Sequence, residues 1–279
     1  MIETIKNLTS PEYLVSRLEK CCDSVTREKN GNVIGYVRGT DSTSPLMIAT
    51  HYDLPHFICT GVENEKVSLV YVGNFKPEST KDLNIISENG ACAVIDESED
   101  KFTATVGQGT ESINIGDRFF VKDFPSPDTF GISALAPDLS LLLTVEKLSA
   151  SRPCRDVYFA FTAEGQYGYK LYSAAAKKCR ATEALCVGVI DAEASPGVSV
   201  RLCDRSFSSD KALSDRLISC GGAPVSIREG KCAASTVQLW GIPSAQLDLP
   251  VHDLGKLTES VKEDVISMTS DILAVFCNK

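Results

Sequence analysis

The chain is 279 residues long, 43% apolar and 23% charged, enough for one large domain or a large and a small one around a real core, which excludes a disordered chain. A formal net charge of −9 with no basic stripe argues against nucleic acid and against a membrane surface, since both recruit clustered Lys and Arg. There is no run of eighteen apolar residues, and Met1-Ile2-Glu3-Thr4-Ile5-Lys6 lacks the basic-then-apolar pattern of a secretory signal, so the protein is expected to be soluble and cytoplasmic.

Ser10-Pro11 followed by Tyr13, Leu14 and Leu18 predicts an N-capped amphipathic helix, and Asn30-Gly31-Asn32 a turn. Val33–Val37 and Pro45–Thr50 then read as strands, the second apolar almost throughout, as a strand buried on both faces would be. From about Cys59 to Lys122 the pattern changes to short alternating segments at Val67–Val72, Asn84–Ile86, Ala91–Ile95, Phe102–Val106 and Phe119–Val121, which predicts a small all-β insertion. Asp123-Phe124-Pro125-Ser126-Pro127 reads as the linker back. Beyond it a helix (Ala134–Leu148), a strand (Val157–Thr162), a helix (Lys170–Lys178) and a strand (Leu185–Ile190) follow on short connections, the signature of a helix-covered, mainly parallel sheet. A helix near Lys211–Ile218, a strand Ala245–Leu249 and a long helix from Lys256 to about Phe276 complete the reading.

Ligands of open α/β sheets bind beyond the carboxyl ends of the strands, where this sequence places His51 with Asp53, and Asp191. In His51-Tyr52-Asp53 the carboxylate can orient the neighbouring imidazole, although such a triplet is also an ordinary polar loop. Asp191 is either a ligand or a turn residue. His56, on a strand, and His252, after Pro250-Val251 at the start of a helix, are the remaining histidines. Eleven cysteines without a C-x-x-C pair read as buried, reduced thiols. Gly107-Gln108-Gly109 and Gly221-Gly222 lack the strand, helix and lysine of a phosphate loop, and no G-x-S-x-G elbow occurs.

Taken together these segments resemble the glutamyl/tetrahedral aminopeptidase family, which also contains cellulase M or endoglucanase-like members. Met47-Ile48-Ala49-Thr50-His51-Tyr52-Asp53 resembles its A-H-x-D-E strand end, and Asn114-Ile115-Gly116-Asp117 its return from the insertion. Phe161-Thr162-Ala163-Glu164-Gly165-Gln166-Tyr167-Gly168 resembles F-T-x-Q-E-E-V-G, Val189-Ile190-Asp191 its strand-terminal aspartate, and Gly241-Ile242-Pro243-Ser244-Ala245 its G-[VI]-P-[TS]-A. The resemblance implies a zinc-exopeptidase-like three-layer α/β/α domain (1–58 and 126–279) interrupted by a β-barrel-like, dimerisation-type domain (59–125). It also implies two metal ions held by His, a bridging Asp, Glu, Asp and His, with a further Glu as base.

Mapped residue by residue, His51 stands at the first histidine, Asp53 at its supporting carboxylate and Asp191 at the metal aspartate. The bridging position is Ala136 in Ser133-Ala134-Leu135-Ala136-Pro137-Asp138, with Asp138 two residues late and expected to point elsewhere. The base and ligand glutamates are Gly165 and Gln166, so no catalytic residue is retained there, and Glu164 lies one position early. His252 in Leu249-Pro250-Val251-His252-Asp253-Leu254 is a doubtful last ligand, and the family's G-T-D appears as Gly230-Lys231-Cys232. The expected metal content is one divalent ion, zinc or cobalt, on His51 and Asp191, or none. Three readings follow: a degenerate homologue that binds a peptide or small molecule in the crevice; a hydrolase with a rearranged, mononuclear site; and a structural subunit, a homo-oligomer of two or more copies or a cap on an active paralogue.

Overall fold

The computed structural model describes residues 8–73, 80–96, 102–109, 112–122, 135–226, 232–256 and 259–279. The expected linker at Asp123–Pro127, the first residues of the helix expected from Ala134, and the Gly230-Lys231 stretch lie outside them. The chain divides into two compact units: Met1–Asp53 with Ile132–His252 and Ser260–Lys279, and Leu54–Gly131 with Asp253–Glu259.

The first unit opens with α1 (Pro11–Leu18), whose N-cap Ser10 accepts a hydrogen bond from the Tyr13 backbone N–H at 3.3 Å. Its strands are β1 (Ser24–Arg27), β2 (Val33–Val37), β3 (Asp41–His51), β10 (Arg155–Thr162), β11 (Glu183–Asp191), β12 (Ser199–Cys203), β13 (Ala223–Ser226) and β14 (Ser244–Val251). They form one mixed sheet in the order β1-β2-β10-β3-β11-β14-β12-β13, with β10, β3, β11 and β14 parallel at its centre. These four carry the apolar runs that the sequence showed, and each is flanked by strands on both sides and by helices on both faces.

On one face lie α3 (Lys170–Cys179) and α5 (Ala233–Gln238), packed through Tyr172, Ala175, Ala176, Cys179, Ala234 and Val237 onto Met47, Ala49, Ala160, Ala184 and Cys186. On the other lie α2 (Ala136–Ser149), α4 (Lys211–Ser219) and α6 (Glu263–Cys277), tied together by Thr144 with Ser270 and by the Arg216 guanidinium over the Phe276 ring. Helix α2 is buried almost all round, so its apolar residues run around the whole helix instead of forming one stripe.

The last helix starts at Glu263 and not at Lys256. Asp253 has φ of 56° and Gly255 of 84°, and the backbone of His252 pairs with that of Ser260, so the chain after β14 turns instead of entering a helix. His252 therefore sits, exposed, at a strand end and not at a helix start. Short elements without a strong periodic signal, β1, β12, β13 and α5, were not expected from sequence.

The second unit is a closed barrel of β4 (His56–Glu63), β5 (Lys66–Val72), β8 (Phe102–Gln108), β7 (Cys92–Ile95), β6 (Asn84–Ser87) and β9 (Arg118–Val121), antiparallel throughout. Its inward positions, Phe57, Cys59, Val67, Leu69, Ile85, Ala93, Ile95, Ala104, Val106 and Phe119, alternate with more exposed ones, the period-2 pattern that marked it as an all-β segment. His56 is buried in this unit, its Nδ1 2.9 Å from the Leu54 carbonyl oxygen and its ring against Phe120.

Candidate functional site at the strand ends

His51 ends β3, and its neighbour across the sheet is Thr162, the last residue of β10. The chain after Thr162 turns through Glu164 (φ 56°), a 3-10 turn at Gly165–Tyr167, Gly168 (φ 102°) and Tyr169 (φ 63°). Glu164 and Tyr169, two non-glycine residues in the left-handed region within one short turn, store of order 1–3 kcal/mol each, and such strain gathers where surrounding structure overdetermines a loop.

Asp53 does the overdetermining. Its Oδ1 accepts from His51 Nδ1 at 3.0 Å and from the Gly165 backbone N–H at 2.8 Å, and its Oδ2 from the Gln166 N–H at 3.0 Å. The carboxylate thus caps the 3-10 turn and fixes the imidazole at the same time. Burial works against its ionised form, but the imidazole and the two backbone N–H donors outweigh that and hold the carboxyl below its usual range. With Nδ1 committed, His51 keeps Nε2 without a hydrogen bond among the described residues.

The ring itself is wedged. A Cβ placed on Gly165 would lie 2.2 Å from His51 Cγ, 2.3 Å from its Cβ and 2.7 Å from its Cδ2. The Tyr169 ring stands 5.9 Å from the imidazole, centroid to centroid, and the Tyr172 ring 5.8 Å beyond that, edge-on. His51, Asp53, Gly165 and Gln166 are thus brought together; the Gln166 side chain only reaches the Asp53 carbonyl oxygen, at 3.4 Å.

Asp191 ends β11, the strand beside β3. Cys186 pairs with Ala49, so Gly188 falls level with His51 and Asp191 three residues further on, roughly 10 Å of strand rise. Its Oδ1 accepts from the Glu193 N–H at 2.9 Å, a turn bond that leaves Oδ2 open. Ala136 begins α2 and offers no donor, and Asp138 is fully buried. Asp138 stands beside Thr50, the residue before His51 on β3. The Asp138 carboxylate oxygens and the Thr50 hydroxyl are all buried, and the Thr50 hydroxyl is the polar side chain that faces them. Burial, with Asp53 adding like charge, pushes its carboxyl well above the usual range.

This donor set does not suit a pair of metal ions. Both Asp53 oxygens are committed, position 165 has no room for a side chain, and among the described residues no three His, Cys, Asp or Glu side chains converge to hold an ion. His51 Nε2 and Asp191 Oδ2 are two donors, where a catalytic zinc takes three protein ligands and a water.

Sequence reasoning missed a polar cluster below this level. Asp248, wholly buried on β14, accepts from Arg201 Nε at 2.7 Å and from Gln246 Nε2 at 2.9 Å, and Arg201 also pairs with Asp204 at 3.3 Å. Gly188 makes the space: its Cβ would fall 2.3 Å from Gln246 Nε2 and 3.0 Å from Asp248 Oδ1. An aspartate inside the apolar run Ser244–Val251 was the available signal, since a buried charge needs a partner.

The three-layer α/β/α unit and the all-β barrel together form a fold shared with solved aminopeptidase and endoglucanase structures. An aminopeptidase from the archaeon Desulfurococcus kamchatkensis superimposes with a TM-score of 0.84 at 18% identity, over 99% of this chain and 94% of that one. A Pyrococcus horikoshii TET1 peptidase, which can assemble into a tetrahedron or a large octahedral shell, gives 0.83 at 17% over 100% and 99%. A Thermotoga maritima endoglucanase gives 0.74 at 18% over 96% and 91%. At these identities the likeness establishes the fold. No protein-family model matches the sequence, and no curated protein sequence does.

Proposed function

We propose that this chain uses an aminopeptidase-type scaffold to bind a peptide or small molecule at the carboxyl ends of β10, β3 and β11 without hydrolysing it through a metal pair, and that copies of it associate. The close approach of Gly165 to His51 carries this reading. The family resemblance puts the general base at position 165, and here the imidazole ring fills the volume that any side chain there would need. Loss of a positioned base lowers a rate by about a hundred- to ten-thousandfold, and Ala136 and Gln166 remove a bridging and a terminal carboxylate as well. Strained backbone held by Asp53 at the end of β10 supports a binding role for the crevice. Association is supported by the shells that the Pyrococcus peptidase forms.

One observation favours a second reading, a hydrolase with one metal ion: the Asp53-held imidazole presents an uncommitted Nε2, the arrangement that a metal-ligating histidine adopts. In that reading His51 and Asp191 hold the ion, Asp53 orients the imidazole, and the ion supplies Lewis acidity.

Elemental analysis of protein purified without chelator, Zn²⁺ and Co²⁺ titrations of wild type and His51→Ala, and assays on aminoacyl nitroanilides test both. No stoichiometric metal and no turnover, with peptides still protecting the protein from thermal unfolding, is the expected result. One equivalent of metal lost in His51→Ala together with turnover establishes the second reading, and two equivalents with turnover overturn both.

A further inference from the structure

Two outer surfaces of the first unit have opposite charge and matching apolar content. On α3, Lys170, Ala174, Lys177 and Lys178 fall at i, i+4, i+7 and i+8, which is one stripe, and all are exposed, while Tyr172, Ala175, Ala176 and Cys179 face the core. The small Ala174 leaves the lysines of this stripe unobstructed, and Arg180 adds a fourth cation past the helix end. No ion pair among the described residues engages these four cations, in a chain of net charge −9. Beside them, at the end of α5, Leu239 is 85% exposed and Trp240, the one tryptophan of the sequence, 59%. The Lys177 ammonium stands 5.2 Å from the Trp240 ring centroid, so basic and aromatic groups form one continuous patch. Exposed Trp and Leu side by side are unusual, and Trp in particular anchors protein interfaces.

On α6 the outward stripe at i, i+4, i+7 and i+11 is Asp264, Met268, Asp271 and Val275, acidic and apolar in alternation. Met268 is 49% and Val275 44% exposed. Asp271 takes the Lys147 ammonium at 2.8 Å, whereas Asp264 and its neighbour Glu263 have no ion pair among the described residues. Because α3 and α5 cover one face of the sheet and α6 the other, a single copy cannot bring the two surfaces together.

We infer that the basic Lys177-Lys178-Trp240 surface of one copy docks on the acidic Asp264-Met268-Asp271-Val275 stripe of another. The inference deepens the association part of the proposed function and rests on it, and is separate from the chemistry of the crevice. The contact is heterologous, so it builds rings or open chains and not an isologous dimer. Two to four helical turns cover about 10–20 Å, which places the contact at the small, salt-sensitive end of protein interfaces.

Sedimentation velocity of the full chain from about 1 to 100 μM, at low and high ionic strength, tests it. The expected result is self-association that weakens about tenfold on raising the salt from roughly 0.05 to 0.5 M. The double reversals Lys177→Glu/Lys178→Glu and Asp264→Lys/Asp271→Lys, and Trp240→Ala, each leave a folded monomer. Mixing the two reversed proteins restores association, because each then offers the complement of the other. Association of wild type that none of these changes affects overturns the surfaces and leaves the association reading standing. A wild type monomeric throughout overturns both, and so does a basic surface that takes up single-stranded RNA or an acidic peptide without self-association.

Discussion

Gly165→Ala is the sharpest perturbation. The added methyl would stand 2.2 Å from His51 Cγ, against a normal carbon contact of about 3.5–4.0 Å, so ring or turn must move by more than an ångström. Neither is free: the ring is held by Asp53 and flanked by Tyr169, and the turn is held by the same carboxylate through two backbone bonds. Overpacking of a filled site costs about 1–3 kcal/mol, and losing the His51 to Asp53 hydrogen bond adds about 1.5 kcal/mol. A total of about 3 kcal/mol lowers the melting temperature of a chain this size by roughly 6–10 °C. Chemical denaturation and thermal unfolding followed by near-UV circular dichroism measure it. In a His51→Ala background the ring is gone, and the same Gly165→Ala change should then cost under about 0.5 kcal/mol. An equal loss in both backgrounds, or none in wild type, would refute the wedge and with it the argument that position 165 cannot hold a base.

Asp248→Ala leaves the Arg201 guanidinium buried with only Asp204, at a cost of about 3–5 kcal/mol by urea unfolding, whereas Arg201→Met/Asp204→Asn/Asp248→Leu, which leaves no buried charge without a partner, should cost less than that single change. For Asp138 the carboxyl is raised in the fold, so the unfolded chain ionises first and stability falls as pH climbs from the ordinary carboxylate range toward the folded value; Asp138→Asn should flatten that fall in a pH series of melting temperatures. Glu259 has the same sign, burial raising it from 4.5 to about 7, so Glu259→Gln should remove a loss of stability confined to that window. Asp53 has the opposite sign: depressed in the fold, it contributes stability that is present at neutral pH and lost as pH falls through the carboxylate range, and Asp53→Asn should remove this acid-limb dependence.

Much of the fold was legible because its signals are local. The apolar runs ending at His51, Thr162 and Asp191 are what strands buried on both faces require, and the period-2 segments between Val67 and Val121 are what a small barrel requires. Helix α6 was placed too early because nothing between Lys256 and Glu263 opposes a helix locally; the pairing of His252 with Ser260 decides it, and that is a contact between segments. At the site, sequence pointed to His51, Asp53 and Asp191 as candidates, and the resemblance placed Ala136, Gly165 and Gln166 where that family carries carboxylates. It could not supply the wedge of the His51 ring against Gly165, the two roles of the Asp53 carboxylate, or the Arg201-Asp248-Gln246 cluster.

The sequence by itself thus determined the long central strands, the main helices and the residue types that stand at the strand ends, since periodicity and residue identity are properties of the string. Only the tertiary structure decided what packs around those residues and which charges meet. Those facts depend on atoms far apart in the chain, Asp53 with Gly165 across 112 positions and Arg201 with Asp248 across 47, arriving within a few ångströms of one another.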